Sequence, residues 1–203
     1  MAATIIQLVG TSNSGKGVTQ KVLAHRLRAD KYQVVEVTEP GPLRSLAKAY
    51  RLRQDKDPWV ETAVFSTDRL MTYQDVVIPR LNEDGLVFLS DRGLPDTIVY
   101  QGMMGGVDID KIIKMNSNIP QADLYLVLIV DGQIGYARAL KKLSETGEQP
   151  SKNETPGAID RLAGYYKKLG MHLEGNIQII DTTNLTIDEV VERSYQETRK
   201  VLW

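Results

Sequence analysis

The sequence contains no cysteine among its 203 residues. Disulfide bonds and thiolate metal sites are therefore excluded, and the composition is compatible with a reducing compartment such as the cytoplasm, which is the location we expect. The net charge is only −1 at pH 7, so nothing favours nonspecific binding to nucleic acid. No apolar run approaches membrane-spanning length, and the first residues do not fit a signal peptide, so no contact with a membrane is expected.

Five strand-like runs alternate with helical stretches along the chain. Apolar residues make up 42% and charged residues 25%, which is typical of a globular protein, and we expect one domain over 1–203. This alternation predicts an α/β fold with a doubly wound, mostly parallel five-stranded sheet and helices on both faces. The predicted strands are residues 5–9, 34–37, 86–90, 124–130 and 177–180.

Apolar spacing predicts the helices and their buried faces. A first helix runs from Gly15 to about Leu27, a second covers 43–53, a third covers 58–81, and the last starts near Asn184. The expected inner face of the first is Val18, Val22, Leu23 and Leu27. The expected apolar stripe of the third is Val60, Val64, Leu70, Val77 and Leu81.

A glycine-bounded loop follows the first predicted strand. Gly10, four residues, Gly15 and Lys16 match the phosphate-binding loop up to its last position, where Gly17 replaces the usual Ser or Thr. Glycines let the backbone approach a polyphosphate, and the N–H groups at the helix start attract it. The residues predicted to bind a nucleoside triphosphate are Gly10, Thr11, Ser12, Asn13, Ser14, Gly15, Lys16, Gly17, Val18 and Thr19.

Other polar residues follow later strands and should meet this loop at one sheet edge. They are Glu39-Pro40-Gly41, Asp91-Arg92 and Asp131, of which Asp131 is dispensable, since a carboxylate between a strand and a helix is often just a helix cap. The polar segment at about 141–156 holds three lysines and two prolines. It is either a solvated surface loop or a lid that brings cations over a triphosphate.

Three fragments, in order, resemble the thymidylate kinase family over nearly the whole chain. They are Glu39-Pro40-Gly41, Phe65-Ser66-Thr67-Asp68-Arg69, and Ser90-Asp91-Arg92 followed by Tyr100-Gln101-Gly102. The Gly-Lys-Gly of the loop is similar to that of adenylate kinases, with Val18 inserted before Thr19 and Gln20.

The resemblance implies transfer of the γ-phosphoryl group of ATP to a deoxynucleoside monophosphate, most simply dTMP, with Mg²⁺ present. It further implies a homodimer. The implied catalytic residues are Lys16, Asp91 and Arg92, and Asp91 would also hold the Mg²⁺ shell through water. The implied acceptor-site residues are Glu39, Pro40, Phe65 as a stacking ring, Arg69 and Arg92 as phosphate clamps, Tyr100 and Gln101.

Several positions depart from the family pattern and leave alternatives open. Thr38 stands in place of an arginine, Ser12 in place of an acidic residue, and Gly93 in place of a tyrosine. A transition-state cation would have to come from the lid, where Lys141, Lys142 and Lys152 lie between Arg138 and Arg161. The alternatives are a kinase with another acceptor, and a nucleotide-binding regulatory protein without transfer activity.

Overall fold

A single parallel sheet organises the structure, a computed structural model that describes residues 2–147 and 149–202. The strand order is β2-β3-β1-β4-β5, and every pairing is parallel. The strands are Thr4–Gly10 (β1), Gln33–Thr38 (β2), Leu86–Asp91 (β3), Leu124–Ile129 (β4) and Ile177–Asp181 (β5). Each agrees with its predicted counterpart to within one residue at either end, so the predicted fold class is confirmed.

Helices cover both faces of the sheet, because successive side chains of its central strands point to opposite sides. They are Lys16–Ala29 (α1), Arg44–Arg51 (α2), Pro58–Thr72 (α3), Leu94–Thr97 (α4), Ile109–Met115 (α5), Gly132–Thr146 (α6), Pro156–Tyr166 (α7) and Ile187–Arg199 (α8). Ile6 and Leu8 of β1 pack with Leu23 of α1 on one face. Ile5 and Val9 belong to the core cluster on the other face. No helix in residues 2–147 and 149–202 is long and apolar enough to cross a membrane.

The predicted inner face of α1 is partly wrong. Val18 is 50% exposed and Val22 is 38% exposed, whereas Leu23 and Leu27 are buried as predicted. The buried face instead includes Gln20, whose Nε2 donates to the backbone oxygens of Val37 and Leu89 at 2.9 and 2.8 Å. A hydrogen-bonded polar side chain therefore belongs to the buried face, where apolar spacing alone predicted Val18 and Val22.

The predicted helix 58–81 and its apolar stripe also need correction. The α-helix ends at Thr72 and continues as a π turn at Tyr73–Val77 and a 3₁₀ turn at Ile78–Arg80, where Pro79 has no N–H to continue the α pattern. Val60 and Leu70 are exposed. The face of α3 that turns inward is polar, and its buried residues are Glu61, Thr62, Ser66, Asp68, Arg69 and Thr72.

The predicted lid begins later than expected. Lys141 and Lys142 lie in α6, which continues to Thr146, so the predicted loop is helical over its first six positions. Its remainder contains a 3₁₀ turn at Lys152–Glu154 and ends where α7 begins at Pro156. Glu148 of this segment lies outside the described residues.

Candidate active site

The glycine-bounded loop lies between β1 and α1, with the geometry that its motif predicts. Gly10 has φ of +135°, and a Cβ there would lie 1.9 Å from the backbone oxygen of Leu128 on the neighbouring strand. Gly15, immediately before α1, has φ of +95°. Only glycine adopts both the tight approach and the left-handed backbone without strain. The loop shape therefore depends directly on these two glycines.

Lys16 lies inside this loop rather than extending into solvent. Its Nζ donates to the backbone oxygens of Thr11 at 2.6 Å and Gly10 at 3.1 Å, and the residue is only 8% exposed. Burial, assisted by the positive charge of Arg92, lowers the pKa of Lys16 to about 8. The loop thus holds an ammonium group whose hydrogen bonds, among the described residues, go to backbone oxygens rather than to a carboxylate, which suits a polyphosphate site.

Orphaned oxygen atoms beside the loop fit a hydrated Mg²⁺ ion. Oδ1 of Asp91 and Oγ1 of Thr11 are buried without a hydrogen-bond partner among the described residues. A Cβ built on Gly17 would lie 3.5 Å from Oδ2 of Asp91, so this carboxylate faces the position where other loops carry a hydroxyl. No cluster of three or more His, Cys, Asp or Glu able to hold a metal occurs in the described parts of the chain. One carboxylate beside a phosphate site is nevertheless sufficient for Mg²⁺, which keeps several waters.

A cavity of about 490 Å³ adjoins Asp91-Arg92, a size that suits a small-molecule ligand. All seven residues predicted for the acceptor site line it, although they come from four separate segments of the chain. They are Glu39, Pro40, Phe65, Arg69, Arg92, Tyr100 and Gln101. The structure brings them together around one cavity, and their individual roles remain predictions.

Arg69 is held in a buried network at the inner wall of the cavity. It is 1% exposed, and its Nε and Nη2 donate to the Glu39 carboxylate at 3.0 and 2.7 Å. The guanidinium also donates to Oδ1 of Asn116 at 2.9 Å and Oγ1 of Thr97 at 3.0 Å. Burial raises the pKa of Glu39, and Arg69 opposes this shift. Because the fork already binds a carboxylate, the geometry weighs against the prediction that Arg69 clamps the acceptor phosphate.

Arg92, the second predicted clamp, has a more accessible side chain. Its side chain is 33% exposed, and Nη1 lies 3.8 Å from Oδ1 of Asp96. The backbone of Arg92 adopts φ of +81°, and its backbone N–H donates to the backbone oxygen of Leu8 in β1 at 2.9 Å. A left-handed backbone at a non-glycine residue is strained and concentrates at functional sites. Arg92 is therefore the arginine that remains available to a phosphate.

The neighbours of Arg92 explain one departure from the family pattern. Asp96 accepts hydrogen bonds from Tyr166 Oη at 2.6 Å and from the backbone N of Gly93 at 3.1 Å. A Cβ at Gly93 would lie 2.0 Å from Oε1 of Gln7. The buried Gln7 side chain therefore occupies the space that any larger residue at position 93 would need.

The far end of the cavity carries the aromatic ring and an acidic residue that sequence reasoning missed. Phe65 lies one helical turn after Glu61 on α3, and Arg51 stands 6.0 Å from the centre of the Phe65 ring. Nε2 of Gln101 donates to Oε2 of Glu61 at 3.1 Å. Glu61 could have been found from the sequence, because it lies four residues before Phe65 and therefore on the same face of the helix. No sequence pattern indicated Thr97 or Asn116.

The lid segment touches both the loop and the cavity. Nδ2 of Asn13 donates to Oε1 of Glu154 at 3.0 Å, and Lys152 and Arg161 line the cavity. Arg138 donates to the backbone oxygens of Asn13 at 3.2 Å and Thr182 at 2.9 Å.

Two other charged residues singled out from the sequence do not line the cavity. Lys141 pairs with Glu145 at 3.9 Å on the exposed surface of α6. The side chain of Asp131 caps α6 by accepting hydrogen bonds from the backbone N–H groups of Gln133 and Ile134, which confirms its interpretation as a helix cap.

Comparison with known proteins identifies the family of this chain. The family model for thymidylate kinase matches residues 10–193. A thymidylate kinase of Staphylococcus epidermidis is 29% identical over 98% of this chain and 99% of its own length. Another, of Caldicellulosiruptor saccharolyticus, is 27% identical over 95% of this chain and 100% of its own length.

A solved structure agrees at the level of the fold. The crystal structure of thymidylate kinase from Ehrlichia chaffeensis matches with a TM-score of 0.72 at 19% identity, over 98% of this chain and 99% of that one. Since the family model spans most of the sequence, the chain belongs to the thymidylate kinase family of nucleoside monophosphate kinases.

Proposed function

We propose that the protein transfers the γ-phosphoryl group of ATP to dTMP, giving ADP and dTDP. One observation carries this proposal: the dipeptide Asp91-Arg92 joins the two halves of the site. Asp91 faces Gly17 of the loop, and Arg92 lines the cavity. A donor phosphate on the loop and an acceptor phosphate on Arg92 would therefore approach each other across this dipeptide.

The reaction needs positioning and charge neutralisation more than covalent participation by the protein. An acceptor phosphate oxygen forms a bond to the γ-phosphorus while the bond to the β–γ bridging oxygen breaks, and ADP leaves. Lys16 would hold the β- and γ-phosphates, and Arg92 would bind the acceptor phosphate with its planar fork. Asp91 would hold hydrated Mg²⁺, which supplies further positive charge at the transferred group. Lys152 of the lid and Arg161 of α7 both line the cavity.

The acceptor half suits a pyrimidine deoxynucleotide. Phe65 offers a ring for stacking on the base, while Gln101 and Tyr100 offer polar contacts to base and sugar. Tyr100 also interacts with Ser12 of the loop, so the sugar would lie between the two halves. Glu39 and Pro40 complete the wall, and Arg69 acts by holding Glu39 in place.

The proposal includes a cytoplasmic homodimer. Exposed apolar side chains occupy the surface of α3 and the turns after it, and Trp59, Val60, Leu70, Met71 and Ile78 are each between 38% and 44% exposed. Burying such a stripe against a second copy is favourable. Sedimentation velocity tests this, and Met71→Glu should shift a dimer towards monomer.

An acceptor panel in a coupled ADP assay tests the function. The panel holds dTMP, dUMP, dCMP, a purine monophosphate and thymidine, each with ATP and Mg²⁺. We expect ADP formation to depend on added dTMP. Equal turnover with the purine monophosphate would contradict the proposed acceptor, and ATP binding without transfer to any acceptor would identify a regulatory protein.

A further inference from the structure

Glu61 and Gln101 form a buried pair at the far end of the cavity. Gln101 is 5% exposed and Glu61 is 8% exposed, and both line the cavity. Nε2 of Gln101 donates to Oε2 of Glu61 at 3.1 Å. Oε1 of Glu61 lies 3.4 Å from Nζ of Lys56 and 3.9 Å from Nε of Arg51.

The charge of Glu61 determines which end of the Gln101 amide faces it. A carboxylate that is ion-paired with two cations accepts hydrogen bonds and donates none. The NH₂ group of Gln101 must therefore face Glu61. In the opposite orientation, the carbonyl oxygen of Gln101 would face the carboxylate of Glu61, and neither of these two buried acceptors could donate a hydrogen bond. The side-chain carbonyl oxygen is then the end that Gln101 presents to a ligand.

We propose that Glu61 is a positioning residue that sets the base preference of the acceptor site. By holding the Gln101 amide in one orientation, it gives the cavity a hydrogen-bond acceptor where Phe65 would stack the base. Thymine and uracil carry an N3–H donor that satisfies this acceptor, whereas N3 of cytosine is itself an acceptor. The inference rests on the proposed function, since it concerns the base of the same acceptor nucleotide.

The cost of a wrong base follows from the same geometry. Cytosine would either oppose two acceptors in a buried site or force the amide to turn its carbonyl towards Glu61. A site built around a specific hydrogen bond strongly rejects an analogue that cannot form this bond, because the buried polar groups of the site are then left unpaired. We expect the wild-type protein to prefer dTMP to dCMP by about a hundredfold or more in kcat/KM.

Glu61→Gln tests the proposal, because it keeps the size of the side chain and removes its charge. An amide at position 61 can donate or accept, so Gln101 becomes free to turn. The dTMP-to-dCMP ratio of kcat/KM should fall at least tenfold, mainly through a gain for dCMP. The dTMP-to-dUMP ratio should change by less than about twofold, because both bases carry N3–H. Glu83→Gln, at an exposed glutamate paired with Arg80, controls for loss of a carboxylate.

The double variant Glu61→Gln with Gln101→Glu separates positioning from a structural role. The amide at position 61 would then donate to a carboxylate at position 101, whose other oxygen again accepts from N3–H. The dTMP-to-dCMP ratio should return to within about threefold of wild type. A Glu61→Gln protein that keeps the wild-type ratio, or a double variant that stays unselective, would overturn the inference.

Equilibrium binding measurements separate the test of the role of Glu61 from the test of the proposed phosphoryl-transfer function. Calorimetry of dTMP, dUMP and dCMP with the wild-type protein requires no turnover. Binding dCMP as tightly as dTMP would overturn the role of Glu61 even if either variant fails to fold. Absence of dTMP-dependent ADP formation, with the binding preference intact, would overturn only the proposed transfer reaction.

Discussion

The phosphate-binding loop and the acceptor cavity are built in different ways. The loop is one contiguous segment, and its shape follows from Gly10, Gly15 and the strand it leaves. The cavity is assembled from separate segments whose charged and polar side chains bind one another, as Arg69 binds Glu39 and Gln101 binds Glu61. The difference teaches that the groups of a contiguous motif are available to bind a ligand directly. In a site assembled from separate segments, many of the charged and polar side chains bind one another and so stabilise the wall of the site.

Removing the lysine of the loop should have the largest effect. Lys16→Ala deletes the buried ammonium that would contact the transferred phosphates, so kcat/KM for ATP should fall by about a thousandfold or more. Steady-state ADP formation measures this, with Lys21→Ala on the exposed side of α1 as the matched control. Turnover within tenfold of wild type would show that the loop does not act through Lys16.

The main effect of Arg69→Gln should be a loss of stability rather than a loss of catalytic activity. It leaves the buried Glu39 carboxylate without its partner, which costs about 3–5 kcal/mol of unfolding free energy. Urea denaturation measures the loss, and adding Glu39→Gln should recover part of it. Arg80→Gln, which breaks the exposed pair with Glu83, should lower stability far less, because water screens that pair. An Arg69→Gln protein of normal stability with a raised dTMP KM would restore the phosphate-clamp role.

Arg92→Gln should show the opposite pattern. Its side chain is partly exposed, and its ion pair within the described residues is a long one, 3.8 Å to Asp96, so stability should change little. Loss of a charge-assisted contact to the acceptor phosphate should lower kcat/KM for dTMP by about 10- to 100-fold. Initial rates over a range of dTMP concentrations measure this, with Arg193→Gln on the exposed face of α8 as control. A large stability loss with unchanged kinetics would make Arg92 structural instead.

The smallest expected effect is a proton taken up when ATP binds. In the free protein the pKa of Lys16 is lowered from 10.5 to about 8, so at pH 8.5 most molecules carry a neutral amine there. Polyphosphate favours the ammonium form, and binding should therefore take up roughly half a proton or more at pH 8.5 but almost none at pH 7. Calorimetry in two buffers of different ionisation enthalpy measures the uptake. Equal values at both pH values would contradict a buried, ligand-facing ammonium.

The same shift has a defined sign for stability. Between about pH 8 and pH 10.5, the unfolded chain binds more protons at Lys16 than the folded protein does. The contribution of Lys16 to unfolding free energy therefore rises with pH across this window. The alkaline gain in stability and the alkaline loss of ATP affinity should both come from this one residue.

How much of the molecule was predictable from sequence differs between the same two regions. The strands and the loop followed from short contiguous patterns, because hydrophobic runs and glycine spacing determine local geometry. The buried face of α3 did not follow, since its buried residues are polar or charged and Val60 and Leu70 are exposed. Asn116 and Thr97 also escaped prediction, because their contact with Arg69 exists only after distant segments pack together. The lid boundary was misplaced because a lysine-rich sequence suits a helix end as well as a loop.

The central claim is that the loop and the cavity act as the two halves of one phosphoryl-transfer site. Phosphorus-31 NMR of the wild-type protein with ATP, Mg²⁺ and dTMP tests it directly. We expect the two phosphate resonances of dTDP to appear in equal amount with those of ADP, and only when both nucleotides are present. ATP consumption that releases inorganic phosphate without dTDP, or no consumption at all, would contradict the account.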